Sequence, residues 1–441
     1  MVTDELIAKI SSTYPELEIE NGLVSIHPLG NDGKVVVYPQ TEEEIASVLR
    51  FANENQNSVV VMAGGSKRGC GGLEESAEIL LSLEKYKGIV EHTLGDMTLT
   101  VKAGTPYKEI QNYIAGFNQK IPLDPYALEY ATIGGVVSAN DSGPKRLGYG
   151  SARDSVIGMR IVYPDGTVIR TGGKTVKNVA GYDFNKLFIG SMGTLGVITE
   201  ITLKLRPLQK YESLVLVTFP DGNPEEIYSF SVTFLNTVME PTALELLSPA
   251  LSEKLTGHSC FTLAVCFEDV ESAVRYQVEF IEKLKPDTSG FSVLHQESAR
   301  AFWNLLTKIP PNGAVEYTGP ETRASVKIGV KNLDVIKVMK ESHLLQDRYN
   351  LDIEAHGGLG HGIARIYLNG ASDDVMNAIG ILRTFAEKLG GYAVLTHLPL
   401  VLRRQIDVWG PKPAYSFLFD GIKSKIDPKR ILNPKRFVGG I

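Results

Sequence analysis

The feature that most constrains this chain is a β-branched run that breaks straight into glycine. Ser58 to Met62 leads through Ala63 into Gly64-Gly65-Ser66-Lys67-Arg68-Gly69-Cys70-Gly71-Gly72, with five glycines in nine positions. A buried strand that delivers such a loop lets consecutive N–H groups converge on an anion, because no Cβ stands in the way. Lys67 and Arg68 add positive charge, so a diphosphate is the natural ligand. The plainer reading is a surface turn, since glycine clusters also mark turns. Two familiar nucleotide-binding patterns fail. A G-x-G-x-x-G starting from Gly69 would need glycine at 74, which is Glu74. A P-loop ending in Gly173-Lys174-Thr175 would need glycine at 168, which is Val168.

Two further segments are glycine-rich and poor in large side chains. One is Ala131-Thr132-Ile133-Gly134-Gly135-Val136-Val137-Ser138-Ala139-Asn140, followed by Ser142-Gly143-Pro144 and Gly148-Tyr149-Gly150. The other is Lys177-Asn178-Val179-Ala180-Gly181-Tyr182-Asp183, then Gly190-Ser191-Met192-Gly193-Thr194-Leu195-Gly196-Val197-Ile198. Loops that only join strands have no need of so much glycine. Three together favour a large embedded cofactor.

The chain has 441 residues, too many for one ordinary core. A strand at 34–40 ends at Pro39, and Thr41 with Glu44 has the form of a capping box opening a helix through Ile45, Val48, Leu49 and Ala52. Strands are expected at 99–103, 156–163, 167–170 and 197–205. Beyond Arg206-Pro207, strands at 213–219 and 261–267 alternate with helices at 270–284, 333–343 and 373–389. This predicts an α+β protein: a first domain over 1–208, a second over 209–400 with an antiparallel sheet covered by helices, and a segment 401–441 packing back on the first. A helix around 414–426 is expected to stop at Pro428 and Pro434.

The net charge is −6 with no Lys/Arg-rich block, which argues against nucleic acid. Cys70, Cys260 and Cys266 form no C-x-x-C pair, which argues against a cysteine-built metal site and for a reducing compartment. The N-terminus does not read as a signal peptide, and no apolar run reaches about 18 residues. The expected place is the cytoplasm, or the inner face of a membrane reached only peripherally through partners.

In order and wording, these segments resemble the vanillyl-alcohol-oxidase-type flavoproteins, which share the p-cresol methylhydroxylase (PCMH)-type FAD-binding fold. The resemblance spans about residues 30–208, with a C-terminal echo. It implies two α/β subdomains that bind FAD, followed by a cap domain. It implies that Gly64, Gly65, Ser66, Lys67, Arg68 and Gly69 hold the pyrophosphate. Thr132, Ile133, Gly134 and Gly135, with Ser138 and Ser142, would line the flavin, and Gly143 and Gly150 belong to the same stretch. Backbone near Val197 and Ile198 would meet the adenine or its neighbourhood. Histidyl-linked relatives carry His after the glycine pair; here that residue is Ser66, so non-covalent FAD is expected. Cys70 is read as a packing residue. Lys177 to Asp183, Val408-Trp409-Gly410-Pro411 and Ile431 to Ile441 look closer to the FAD-binding subunits of bacterial glycolate oxidase.

That resemblance implies hydride transfer from the α-carbon of a small 2-hydroxy acid, of the glycolate or lactate class, to the flavin, with electrons passed to a partner. The implied partners are a larger flavoprotein subunit and an iron–sulfur subunit. His356-Gly-Gly-Leu-Gly-His361 is similar to the H-x-G-D-G-N-x-H stretch of metal-containing relatives. Here Leu359 stands for the acid and Ile363 for the second histidine, and Leu395-Thr396-His397 replaces a later G-E-H-G. Two histidines without a carboxylate make a poor divalent site, so no metal is expected. The catalytic candidates are Arg323 for the substrate carboxylate and His356 or His361 for the hydroxyl proton; Arg403-Arg404 is read as surface. Two other readings stay open: a stand-alone FAD oxidoreductase on another hydroxy acid or alcohol, and a non-catalytic FAD-binding scaffold subunit.

Overall fold

The computed structural model describes residues 2–22, 27–174 and 182–441. The first sheet holds β1 (Glu18–Asn21), β2 (Asp32–Tyr38), β3 (Val59–Met62) and β4 (Ser76–Ser82) in the order β1-β2-β4-β3. β2 and β3 both run parallel to β4, as strand–helix–strand connections require. The connecting helix Glu42–Asn55 starts where the sequence predicts. Thr41 accepts the Glu44 N–H at 3.1 Å, while the Glu44 carboxylate turns back to the Gln40 N–H at 2.6 Å.

The second sheet is antiparallel. Its strands are β5 (Ile89–Thr93), β6 (Thr98–Lys102), β8 (Val156–Val162), β9 (Val168–Gly172) and β10 (Val197–Lys204), in the order β5-β6-β10-β8-β9. A two-residue strand β7 (Gln119–Lys120) pairs with β11 (Arg206–Pro207). One core runs through both sheets from Ile10 to Leu205.

From Tyr211 onward, eight strands form a single antiparallel sheet: β12 (Tyr211–Phe219), β13 (Ala243–Leu247), β14 (Phe261–Asp269), β15 (Gly290–His295), β16 (Thr322–Gly329), β17 (Asp352–Gly358), β18 (Ile363–Gly370) and β19 (Tyr392–His397). Their order is β15-β12-β14-β13-β17-β18-β16-β19. Helices Val335–Tyr349 and Ser372–Lys388 bury Val338, Met339, Leu382 and their neighbours against one face, making a second core.

The tail divides between the two cores. Val408 packs with the second, so the chain stays with the eight-stranded sheet past residue 401. Ile431 and Leu432 pack with the first, where Leu432 bridges Val59. The helix Ser416–Ile426 is pinned by the buried Lys423 ammonium, which donates to Asp427 Oδ2 at 2.7 Å and to the carbonyls of Thr194 and Leu432 at 2.8 and 2.9 Å. Among the described residues no helix is long and apolar enough to cross a membrane.

Candidate active site

The glycine loops converge as the sequence requires. A narrow cavity of about 100 Å³ runs between Gly64, Gly65, Ser66, Lys67 and Arg68, the turn at Thr132, Gly134, Gly135 and Ser138, and Gly193, Gly196, Val197 and Ile198. Thr132 caps the helix Ile133–Ala139, accepting the Gly135 N–H at 3.4 Å. Close approach explains Gly134: a Cβ there would lie 2.7 Å from Ala103 Cβ and 2.8 Å from the Ala103 carbonyl oxygen. Gly65 has a different reason. Its φ is +67°, and the nearest atom a Cβ would meet is 3.6 Å away, so backbone conformation selects the glycine.

The tail completes this cavity. Asn433 Oδ1 accepts the Val61 N–H at 3.0 Å, while its amide donates to the Met192 and Gly193 carbonyls at 3.2 and 3.0 Å. One side chain thus joins β3 to the last glycine loop. Arg436 donates to the Lys67 carbonyl at 3.2 Å, and Asn31 donates to the Arg68 and Gly71 carbonyls at 2.7 and 3.1 Å. The Nε atoms of Arg68 and Arg436 are buried without a hydrogen-bond partner among the described residues, and both residues line the cavity. Backbone N–H groups freed by glycine, with orphaned guanidinium donors beside them, fit a bound pyrophosphate.

At Ser66, Lys67, Ala139 and Met192 this channel adjoins a wider cavity of about 480 Å³. Its floor is the face of the eight-stranded sheet opposite helices Val335–Tyr349 and Ser372–Lys388. Ser325 and Lys327 of β16, Arg365 of β18, and Val394 and Thr396 of β19 all face it, as alternation along strands dictates. Asn140, Asp141 and Tyr126 line the opposite side, with Phe437 and Ile441 from the tail. Asp141 receives Lys67 Nζ at 2.6 Å, Arg365 Nη2 at 3.3 Å and the Tyr126 N–H at 3.2 Å. Burial would raise the Asp141 carboxyl, but Lys67 and Arg365 hold it below the usual range. Arg365 also donates to the Ser142 carbonyl at 3.1 Å and lies 4.3 Å over the Tyr126 ring. Lys327 has no hydrogen-bond or ion-pair partner among the described residues; burial, then Arg365 and Arg146, push its ammonium down to about 8.

The sequence candidates separate into groups. Ile133, Ser142, Gly143, Gly150 and Gly69 line neither cavity. Ser142 contributes through its carbonyl, and Gly143 through its N–H, given to the half-buried Asp124 at 2.9 Å. A Cβ on Gly69 would meet His397 at 2.6 Å, so that glycine admits a packed imidazole, which burial with Arg323 and Arg403 keeps neutral with a pKa of about 3. Arg323 does not reach the wide cavity. It lies two residues toward the start of β16 from Ser325, stacks on Tyr317 at 5.1 Å, and lines a neighbouring cavity. Arg403 is buried, contrary to a surface reading, because it donates to the Leu398 and Arg68 carbonyls at 3.2 and 3.3 Å. The Lys177 to Gly181 part of the third motif lies outside the described residues.

His356 and His361 also stand outside the cavity lining, and they do have a carboxylate. Glu245 of β13 takes His356 Nδ1 on Oε2 at 2.7 Å and His361 Nε2 on Oε1 at 3.1 Å. The acid sought within the histidine stretch comes instead from a neighbouring strand more than a hundred residues earlier, so sequence spacing could not reveal it. Glu212, Cys266 and Glu268 also lie close together, and they hold the Lys145 ammonium, 2.7 Å from Glu212 and 2.5 Å from Glu268.

With this geometry in place, the comparisons with known proteins can be set beside it. Residues 33–172 match the model of an FAD binding domain, so the chain carries an FAD binding domain. p-Cresol methylhydroxylase with substrate bound superposes with a TM-score of 0.72 at 16% identity, over 93% of this chain and 90% of that one, so the chain has the PCMH-type fold. In sequence it is similar to FAD-linked hydroxy-acid enzymes. A D-lactate dehydrogenase of Archaeoglobus fulgidus is 27% identical over 94% of this chain and 93% of its own length. The glycolate oxidase subunit GlcD of Bacillus subtilis is 35% identical over 42% of this chain and 39% of its own. A mitochondrial cytochrome-type D-lactate dehydrogenase of Arabidopsis thaliana is 29% identical over 63% of this chain, which spans about half (49%) of that relative.

Proposed function

We propose that this chain oxidises a small 2-hydroxy acid of the lactate or glycolate class, using FAD, and passes the electrons to a partner protein. FAD supplies the hydride acceptor. The observation that carries the reading is the Lys327 ammonium, which faces the wide cavity beside Arg365 and has no partner of its own. Among the described residues this half-buried cation has no ion-pair partner, an arrangement that is costly unless a ligand provides one. A substrate carboxylate would do so, held between Lys327 and the Arg365 guanidinium. Arg365 is already oriented by Asp141 and the Ser142 carbonyl, so little is lost in ordering it. The similarity to D-lactate dehydrogenases and to GlcD supports the same substrate class.

The test is anaerobic addition of D-lactate or glycolate to the purified holoprotein while flavin absorbance is followed. Bleaching by the hydroxy acid, and not by the matching alcohol without a carboxylate, is the expected result. If neither acid bleaches the flavin, alone or after adding the larger flavoprotein and iron–sulfur subunits, the reading fails. Bleaching that appears only with those subunits present would assign the chemistry to the partner and make this chain a scaffold.

A further inference from the structure

Glu245, His356 and two tyrosines form a connected hydrogen-bonded group behind the wall of the wide cavity. The Glu245 side chain is buried; burial alone would raise its carboxyl, but hydrogen bonds from His356 and His361 bring it down to about 2. It is therefore a carboxylate, and His356 Nδ1 must carry the proton between them. That leaves one lone pair, on Nε2. Two phenols compete for it: Tyr367 Oη at 3.0 Å and Tyr126 Oη at 3.4 Å. Burial holds both phenols far above their ordinary pKa. Both phenols reach that lone pair, and of the two Tyr126 is the one that lines the cavity.

We propose that Tyr126, His356 and Glu245 form a relay that removes the substrate hydroxyl proton, an inference that rests on the hydroxy-acid reading above. The hydroxyl proton passes to Tyr126 Oη as the Tyr126 proton passes to His356 Nε2. The oxygen electron pair closes the carbonyl as the α-carbon's C–H pair leaves as hydride, for which bound FAD would supply the two-electron acceptor. The product is a 2-oxo acid, the proton rests on the imidazole, and the Glu245 carboxylate stabilises the imidazolium. Tyr126 is the group that touches substrate; His356 and Glu245 act through it. His361, on the other Glu245 oxygen, is a positioning residue.

The charged and titratable groups facing Tyr126, His356 and Tyr367 are Glu245 on β13, Glu354 on β17, Arg365 on β18, His361, and Asp124 and Asp141 from the loops. The experiment is rapid-mixing flavin reduction by D-lactate across pH, in holoprotein of the wild type, Tyr126→Phe and Glu245→Gln. Tyr126→Phe keeps the ring under Arg365, and Glu245→Gln keeps an acceptor for Nδ1–H. Tyr126→Phe should slow reduction about a hundredfold or more with FAD content and substrate affinity unchanged. Glu245→Gln removes the negative charge that balances the proton arriving on the imidazole, so the maximal rate of reduction should fall while substrate affinity holds. If wild-type flavin is reduced but Tyr126→Phe is equally fast, or Glu245→Gln leaves the maximal rate unchanged, the relay is overturned and the hydroxy-acid reading stands. Wild-type flavin that D-lactate and glycolate do not reduce overturns both.

Discussion

Replacing Lys327 with methionine should make the protein more stable and a worse binder of hydroxy acids. Methionine nearly fills the lysine stem and carries no charge. Among the described residues Lys327 has no hydrogen-bond or ion-pair partner, and burial with Arg365 and Arg146 lowers its pKa from 10.5 to about 8. At about 1.4 kcal/mol per tenfold, that drop corresponds to about 3 kcal/mol against the folded, charged form. The sign follows from the direction. Below pH 8 both folded and unfolded chains carry the proton and the full penalty applies. Between pH 8 and 10.5 the folded chain loses its proton and the penalty fades. The stability difference between Lys327→Met and wild type should therefore be largest below pH 8 and gone near pH 10.5, as read by thermal denaturation of the holoprotein. Substrate binding should weaken by about one to two orders of magnitude, since a hydrogen bond to a charged group contributes about 1.5–3 kcal/mol. Wild-type affinity should decline above pH 8 for the same reason. A lower Tm together with unchanged substrate affinity would refute this reasoning, and loss of FAD would mean that Lys327 serves the cofactor instead.

Gly65→Val should abolish FAD retention, because φ of +67° is strained for a β-branched residue and the added methyls enter the narrow cavity; full flavin content after purification would refute the pyrophosphate assignment. Asn433→Ala should cost about 1–3 kcal/mol, because it leaves the Val61 N–H and the Met192 and Gly193 carbonyls without their partner. FAD should also dissociate faster, and an unchanged denaturation midpoint would count against the staple. Arg323→Ala should leave flavin reduction and substrate affinity unaltered, because its side chain lines the neighbouring cavity; weakened D-lactate binding would return Arg323 to the site.

The local sequence determined much of this protein. Glycine spacing after a β-branched run defines an anion cradle wherever it occurs, since it acts through φ and through the missing Cβ, both local properties. That made Gly64 to Arg68, Thr132, Gly134, Gly135, Val197 and Ile198 legible, along with strands such as β8, β10, β12 and β14. The polar site was much less so. Arg323, Ser325 and Lys327 share one face of β16, and periodicity alone gives no reason to prefer one over another. What selected Lys327 and Arg365 was the seating of the eight-stranded sheet against Asn140 and Asp141, a tertiary fact. Glu245 met His356 because β13 pairs with β17, a register set by burial across the whole sheet and not by spacing along the chain. Asn433 reached two glycine loops because Leu432 joins the first core, bringing the tail back across the molecule. Short-range chemistry thus sets out the glycine-lined cavity proposed to hold a phosphate. Only long-range packing brought Lys327, Arg365 and Glu245 to their places.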